Sequence, residues 1–160
     1  MTAGGNLPTS DYRVRFQPPL LFAALLGGGL LLHAIWPLSF GAVFSALPVV
    51  GALLLAASLV LIGTAMATLR AARTPVNPNL PPAQLVTAGP FRRSRNPIYL
   101  AFCLALAGLG MLLANGWLLL APAVAIPLLT WGVIHREEAK LRAHYGSEYD
   151  LYAARVRRWL

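Results

Sequence analysis

Two long stretches of the 160-residue chain contain no Asp, Glu, Lys or Arg. The first runs over residues 16–69 and has 54 residues, and the second runs over residues 96–135 and has 40. A helix that crosses the hydrocarbon core of a bilayer needs about 20 apolar residues. Each stretch is therefore long enough for two crossings. This pattern predicts an all-α integral membrane protein with four transmembrane helices.

Turn-forming residues divide each stretch in two, between Pro37 and Pro48 and at Asn115-Gly116. The spans are predicted at about 19–37, 47–68, 98–114 and 117–135. Residues 1–160 then form a single membrane domain. It has a cytoplasmic loop over 70–95 and a tail over 136–160 that forms cytoplasmic or interfacial helices.

The composition excludes a water-soluble globule, because 58% of the residues are hydrophobic and 11% are charged, against about 25% charged in soluble domains. Disorder is excluded as well, since unfolded chains are poor in apolar residues. The single cysteine, Cys103, cannot form an internal disulfide or a cysteine-cluster metal site. No metal site is expected.

The formal net charge of +8 is confined to one side of the predicted topology. All 13 Lys and Arg residues lie before the first span, in the central loop or in the tail, and both hairpin turns have none. The positive-inside rule makes that side, with both termini, cytoplasmic. Attraction to anionic membrane lipid explains the charge without a nucleic-acid partner. The compact size and short termini favour a bacterial inner membrane.

The entry to the third helix is the first of two places on that side that suggest a binding site. Pro97 suits the first turn of the third helix, which Ser94 or Asn96 can cap, and Arg95 beside the free N–H groups suits an anion. The alternative is an ordinary capped, Arg-flanked helix entry.

Glu137 and Glu138 follow the fourth span, where acids need a partner to offset desolvation. They either pair locally, with Lys140 and Arg142 respectively, or bind a cationic or hydroxyl-bearing ligand.

Two further patterns have structural or functional interpretations. Small residues in the third helix, including Gly108 and Gly110, suit either close helix packing or a flat ligand lying on bare backbone. A final helix after Gly146 has an apolar stripe with neighbouring arginines, which predicts that it lies on the membrane surface. The stripe consists of Tyr149, Tyr152, Val156 and Trp159.

Taken in order, the motifs of residues 85–160 resemble the isoprenylcysteine carboxyl methyltransferase superfamily, which includes the phosphatidylethanolamine and phospholipid N-methyltransferases. They are Gly89-Pro90-Phe91-Arg92, Arg95-Asn-Pro-Ile-Tyr99, Gly108-Leu-Gly110, Glu137-Glu138 and Gly146-x-x-Tyr149-x-x-Tyr152-x-x-Arg155-Val-x-Arg-Trp159. The first two spans are similar only in being hydrophobic.

The resemblance implies an integral membrane methyltransferase that uses S-adenosylmethionine and releases S-adenosylhomocysteine. By resemblance, the cofactor-binding residues are Arg95, Asn96, Pro97, Tyr99, Gly108, Gly110, Glu137 and Glu138. Asn96 replaces the histidine usual in the carboxyl methyltransferases and cannot titrate near neutral pH.

The acceptor is expected to be lipophilic and to enter from the bilayer: an isoprenylcysteine-type carboxylate, an amino phospholipid head group, or a small apolar thiol or acid. Arg92 or Arg155 would orient a carboxylate, whereas Glu137, Glu138 or His135 would take a proton from an amine. The alternative function is a non-catalytic membrane protein of the same fold that binds anionic lipid or a partner protein through its Arg-rich cytoplasmic face.

Overall fold

The computed structural model describes residues 17–39, 46–74 and 84–160. The charged N-terminal cluster (Asp11, Arg13 and Arg15), the centre of the predicted Pro37–Pro48 turn and most prolines of the central loop lie outside these residues. The described part is helical, with a 3₁₀ turn at Gly89–Arg92 and a π-helical turn at Thr130–Ile134. Its α-helices are α1 (Pro18–Ile35), α2 (Leu47–Ala71), α3 (Pro97–Leu112), α4 (Gly116–Leu129), α5 (His135–Tyr145) and α6 (Ser147–Arg155).

Three helical segments are long and apolar enough to cross a membrane: α1, α2 and the continuous segment Gly116–Tyr145. Helix α3 is apolar but has 16 residues, which gives it a length of about 24 Å, against about 30 Å for a typical hydrocarbon core. The helix boundaries lie close to the predicted ones, and the all-helical, membrane-type fold is confirmed. The fourth crossing stays a prediction.

Helix α3 lies at the centre of the bundle, with α2 on one side and α4 on the other, and α1 packs mainly on α4. Buried apolar side chains of α1, α3, α4 and the π turn form one hydrophobic core. Within the helix pair α2–α3, the buried Ser58 hydroxyl donates to the carbonyl of Ala101 at 2.8 Å. This arrangement places the end of α2, the start of α3 and the beginning of α5 at one end of the bundle, called here the basic end.

The predicted turn at Asn115-Gly116 is confirmed, at the opposite end of the bundle. The buried Asn115 side chain accepts from the Leu118 N–H at 3.1 Å and donates to the Gly29 carbonyl of α1 at 3.1 Å. The Gly116 N–H donates to the Leu38 carbonyl at 2.7 Å. These bonds join α1 to the turn between α3 and α4.

The π turn at Thr130–Ile134 joins α4 to α5 without a break. A π turn inserts one residue relative to an α-helix, so it rotates everything that follows by about 100° around the helix axis. The residues after it include Glu137 and Glu138, and Glu138 is only 8% exposed. The turn therefore helps direct this acidic pair toward the protein.

The C-terminal stripe of Tyr149, Tyr152, Val156 and Trp159 does not lie as predicted. Tyr149 is 1% exposed and Val156 is 9% exposed. The Trp159 ring packs against the hydrophobic core, and its indole N–H donates to the Thr130 hydroxyl at 3.4 Å. The stripe faces the protein, so the expectation that these side chains contact the membrane is wrong, whereas the position of the helix at the membrane surface stays a prediction. Periodicity identified an apolar face but could not say what covers it.

Candidate active site

A cavity of about 120 Å³ opens at the basic end, between the start of α3 and helices α5 and α6. Four of the predicted cofactor-binding residues line it together, although they come from two segments about 40 residues apart in sequence. The lining residues are Leu69, Thr74, Gln84, Leu85, Val86, Phe91, Arg95, Asn96, Glu137, Glu138, Leu141, Tyr149 and Tyr152.

Glu138 is held between two arginines. Arg158 donates to it with both Nε and one terminal nitrogen, at 2.9 and 2.7 Å, and a terminal nitrogen of Arg95 lies 3.0 Å from Oε1. The carboxylate raises the pKa of Arg158 through these hydrogen bonds. A two-point contact of this kind fixes the plane of the carboxylate as well as its charge.

The local pair of Glu138 with Arg142, one of the two alternatives considered for this acid, does not form. Arg142 instead donates to Asp150 of α6 at 2.7 Å, in an exposed ion pair. The i, i+4 rule describes the surface of a helix, whereas the Glu138 side chain is buried against α3 and the residues that follow α6.

Glu137 contacts α3 through Tyr99, whose hydroxyl donates to Oε1 at 2.7 Å. The structure thus brings together two residues that the resemblance assigns to the cofactor site. Tyr99 lies behind Glu137 and is not among the residues that line the cavity. Its hydrogen bond fixes the position of the Glu137 carboxylate.

The residues after α6 pack on the segment before α3. The N–H of Arg95 donates to the carbonyl of Arg157 at 3.0 Å, and the Asn96 side chain donates to the carbonyl of Arg158 at 2.9 Å. Asn96 occupies the N-cap position of α3 but makes no capping bond with its side chain. The Ser94 hydroxyl accepts from the Asn96 N–H at 3.1 Å. Neither Ser94 nor Asn96 therefore caps α3 through its side chain, and the Asn96 amide makes a long-range contact instead.

Two tyrosines of α6 complete the wall of the cavity. The Tyr152 hydroxyl donates to the carbonyl of Phe91 at 2.8 Å. Burial raises the pKa of both Tyr149 and Tyr152 above the usual value for tyrosine. Both phenols therefore stay protonated at physiological pH, and neither adds a negative charge beside the glutamates.

The structure places Gly108 and Gly110 at helix contacts and not in the cavity. A Cβ at Gly108 would lie 2.8 Å from the Gly51 carbonyl oxygen of α2, and one at Gly110 would lie 2.5 Å from the Leu119 backbone nitrogen of α4. Only a residue without a side chain permits such distances. Close helix packing, the alternative considered for these glycines, explains both.

Three further predicted residues lie away from the acidic pair. Pro97 is buried at the first turn of α3. Together with Arg92 it lines a groove, and the chain segment before α3 separates this groove from the cavity. Arg155 is exposed and lines neither of these two recesses. The structure therefore does not bring Arg92 or Arg155 to Glu137 and Glu138.

The residue that sequence reasoning missed is Arg158. Arg158 is the second arginine of the Arg-Val-x-Arg-Trp motif quoted above, so the sequence did contain a signal for it. It lies 20 residues after Glu138, however, and such a separation does not predict a contact along one helix. The C-terminal residues also contribute two backbone carbonyls to the site, which no side-chain pattern indicates.

One buried donor in the site is unsatisfied. Nε of Arg95 is inaccessible to solvent and has no hydrogen-bond partner. A buried polar atom without a partner costs free energy, and native structures rarely leave one without a structural or functional reason. A positively charged donor beside two carboxylates suits a ligand that carries both an anionic and a cationic group. Among the described residues, no group of three or more His, Cys, Asp or Glu side chains is placed to hold a metal.

The phospholipid methyltransferase family model matches residues 47–148, from the start of α2 to the start of α6. No match is found among curated proteins or among solved structures. The matched range covers more than half of the chain and contains the Arg95-to-Tyr99 segment and both glutamates. The protein belongs to the phospholipid methyltransferase family.

Proposed function

We propose that the protein is an S-adenosylmethionine-dependent methyltransferase that transfers a methyl group to a lipophilic acceptor in the membrane. The family supports methyl transfer in general. The observation that carries the choice of cofactor is that Arg95, whose buried Nε has no partner, lines one cavity together with Glu137 and Glu138.

Each wall of the cavity has a role in this proposal. Arg95 binds the carboxylate of the cofactor, and Glu137 and Glu138 bind its ammonium group and ribose hydroxyls. The apolar part of the lining includes Leu85, Val86 and Leu141. A volume of about 120 Å³ is below the roughly 300–1,000 Å³ typical of ligand pockets, so the described cavity suits the charged end of the molecule.

The chain contributes mainly positioning to the reaction. When bound, S-adenosylmethionine supplies a methyl group that its sulfonium has already activated for displacement. Orientation of two reacting groups accounts for a large part of many enzymatic accelerations. Tyr99 and Arg158 act as positioning residues, because they fix Glu137 and Glu138 by short hydrogen bonds.

The acceptor remains one of the three lipophilic classes named above. An amine acceptor must lose a proton, and Glu137 is the carboxylate best placed to take it, since Glu138 is already bound to two arginines. Asn96 cannot serve, because its amide does not titrate.

We further propose four membrane crossings, with both termini on the cytoplasmic side of a bacterial inner membrane. Helix α3 packs between α2 and α4, both of which are in segments long enough to cross. A core-facing helix of about 24 Å can cross with slight thinning of the bilayer at modest cost.

The test is calorimetric titration of S-adenosylmethionine and S-adenosylhomocysteine into the purified protein, in detergent and in lipid nanodiscs. We expect binding in the micromolar range that is lost in the Glu137→Gln/Glu138→Gln double variant. Tyr99→Phe removes one charge-assisted hydrogen bond to Glu137, so it should weaken binding by about tenfold.

Asp150→Asn is the matched control, because it also neutralises an acid of the C-terminal region but breaks only the exposed pair with Arg142. It should leave cofactor affinity unchanged. Equal affinity in the wild type and the double variant would refute the site. Absence of binding in both membrane mimetics would favour the non-catalytic, lipid-binding alternative.

A further inference from the structure

A second recess lies on the outer surface of the bundle, between α2 and α3. It is an open groove of about 1280 Å³, larger than a typical small-molecule pocket. The segment from Gly89 to Pro97 separates it from the cavity. Phe91, Arg95 and Asn96 line the cavity, whereas Arg92 and Arg93 line the groove.

The α2 and α3 walls of the groove consist mostly of apolar residues. On α2 they include Thr64 and Thr68, whose hydroxyls donate to the carbonyls of Val60 and Thr64 in their own helix, both at 2.7 Å. These bonds satisfy both hydroxyls within α2. On α3 the wall is formed by Leu100 and Leu104.

The length of the groove corresponds to half a bilayer. Its α2 wall runs from Ala57 to Thr68, and 11 residues of α-helix rise about 16 Å. The hydrocarbon core of a whole bilayer is about 30 Å thick. An acyl chain of one leaflet therefore matches the groove from end to end.

The groove ends in positive charge. Gly89, with φ of 56°, approaches α2 so closely that a Cβ there would lie 2.6 Å from the Thr68 hydroxyl oxygen. This contact closes the end of the groove at the 3₁₀ turn, where Arg92 and Arg93 are both exposed. Neither arginine takes part in the ion pairs found among the described residues.

We propose that this groove binds one anionic phospholipid of the surrounding leaflet. Its phosphate contacts Arg92 and Arg93, and one of its acyl chains lies along α2 and α3. The site is distinct from the methyl-transfer cavity, because the segment Gly89–Pro97 forms a wall between them. The proposal therefore does not depend on the proposed methyltransferase activity.

Native mass spectrometry of the full chain, released from detergent without cofactor, tests the proposal. The probes are dioleoyl phosphatidylglycerol, dioleoyl phosphatidylcholine and glycerol phosphate. We expect one phosphatidylglycerol to bind more tightly than the other two probes. In Arg92→Gln/Arg93→Gln this binding should weaken by about thirtyfold, as two lost contacts between arginine and anionic lipid imply.

Arg70→Gln/Arg73→Gln is the matched control, because it removes the same charge from exposed arginines that do not line the groove. Equal weakening in the two double variants would show general surface attraction and overturn the proposal. Binding of glycerol phosphate as tight as that of phosphatidylglycerol would also overturn it, since the groove would then hold only a free anion.

A steric variant keeps the arginines and tests the acyl chain. Ala67→Phe places a ring in the groove, and Ala52→Phe places the same ring at an exposed position of α2 outside it. Only Ala67→Phe should weaken phosphatidylglycerol binding. Circular dichroism of each variant shows whether the helices are kept, and equal lipid affinity in these two variants would contradict the proposal.

Discussion

Replacement of Arg158 by Gln should destabilise the protein through the loss of a single side-chain contact. Arg158 makes two hydrogen bonds to Glu138, at 2.9 and 2.7 Å, while Arg95 contributes a third contact at 3.0 Å. Removing one partner of a buried ion pair costs about 3–5 kcal/mol. The Arg158 side chain is 32% exposed and Arg95 remains, so we expect a smaller loss, about 2 kcal/mol.

The loss should appear as a lower midpoint of thermal unfolding, measured by circular dichroism at fixed detergent concentration. For a chain of this size, about 2 kcal/mol corresponds to a shift of roughly 4–8 °C. Arg158→Lys keeps the charge but cannot make the two-point contact, so it should lie between the wild type and Arg158→Gln.

Arg157→Gln is the control, because Arg157 is exposed and contributes only its backbone carbonyl to the site. It should leave the midpoint unchanged. A double-mutant cycle with Glu138→Gln should give a coupling energy of about 2 kcal/mol. Equal midpoints for Arg158→Gln and Arg157→Gln, or no coupling with Glu138, would refute the reasoning.

Two other predictions concern the helix contacts. Gly108→Ala should lower the unfolding midpoint by a few degrees, because the new Cβ would lie 2.8 Å from the Gly51 carbonyl oxygen and overpacking costs about 1–3 kcal/mol. Gly63→Ala is the control, since a Cβ there would meet open space, and it should leave the midpoint unchanged. Loss of cofactor affinity in Gly108→Ala with an unchanged midpoint would instead support a cofactor role for this glycine. Asn115→Ala removes two buried hydrogen bonds, including that to the Gly29 carbonyl, and should cost about 2 kcal/mol. An unchanged unfolding midpoint would show that this turn does not hold α1.

Local signals predicted those parts of the fold that depend on local chemistry. The uncharged stretches located the apolar helices, Asn115-Gly116 located a turn, and α5 ends at Tyr145, directly before Gly146. Each of these features is decided by residues within a few positions of one another. The sequence alone could therefore supply them.

The site required contacts between distant residues, and there the predictions were uneven. The motif resemblance assigned Arg95, Asn96, Glu137 and Glu138 to one site, and all four line the same cavity. It did not supply the partner of Glu138, because helical spacing favoured Arg142. The π turn and the return of the chain after α6 instead place that carboxylate against Arg158.

Glu137 and Glu138 belong to one continuous helical segment, which begins at the end of the bundle opposite the basic end. The segment Gly116–Tyr145 has 30 residues and a length of about 45 Å, some 15 Å more than a typical hydrocarbon core. The distance from its lipid-embedded part to Glu137 is therefore fixed by the helix, whereas the position of the water boundary is fixed by the acyl chain length of the host lipids. In a thicker bilayer, either the two carboxylates would lie closer to the hydrocarbon core or the helical segment would tilt less. The depth at which a water-soluble ligand meets the site is thus a joint property of the protein and its membrane.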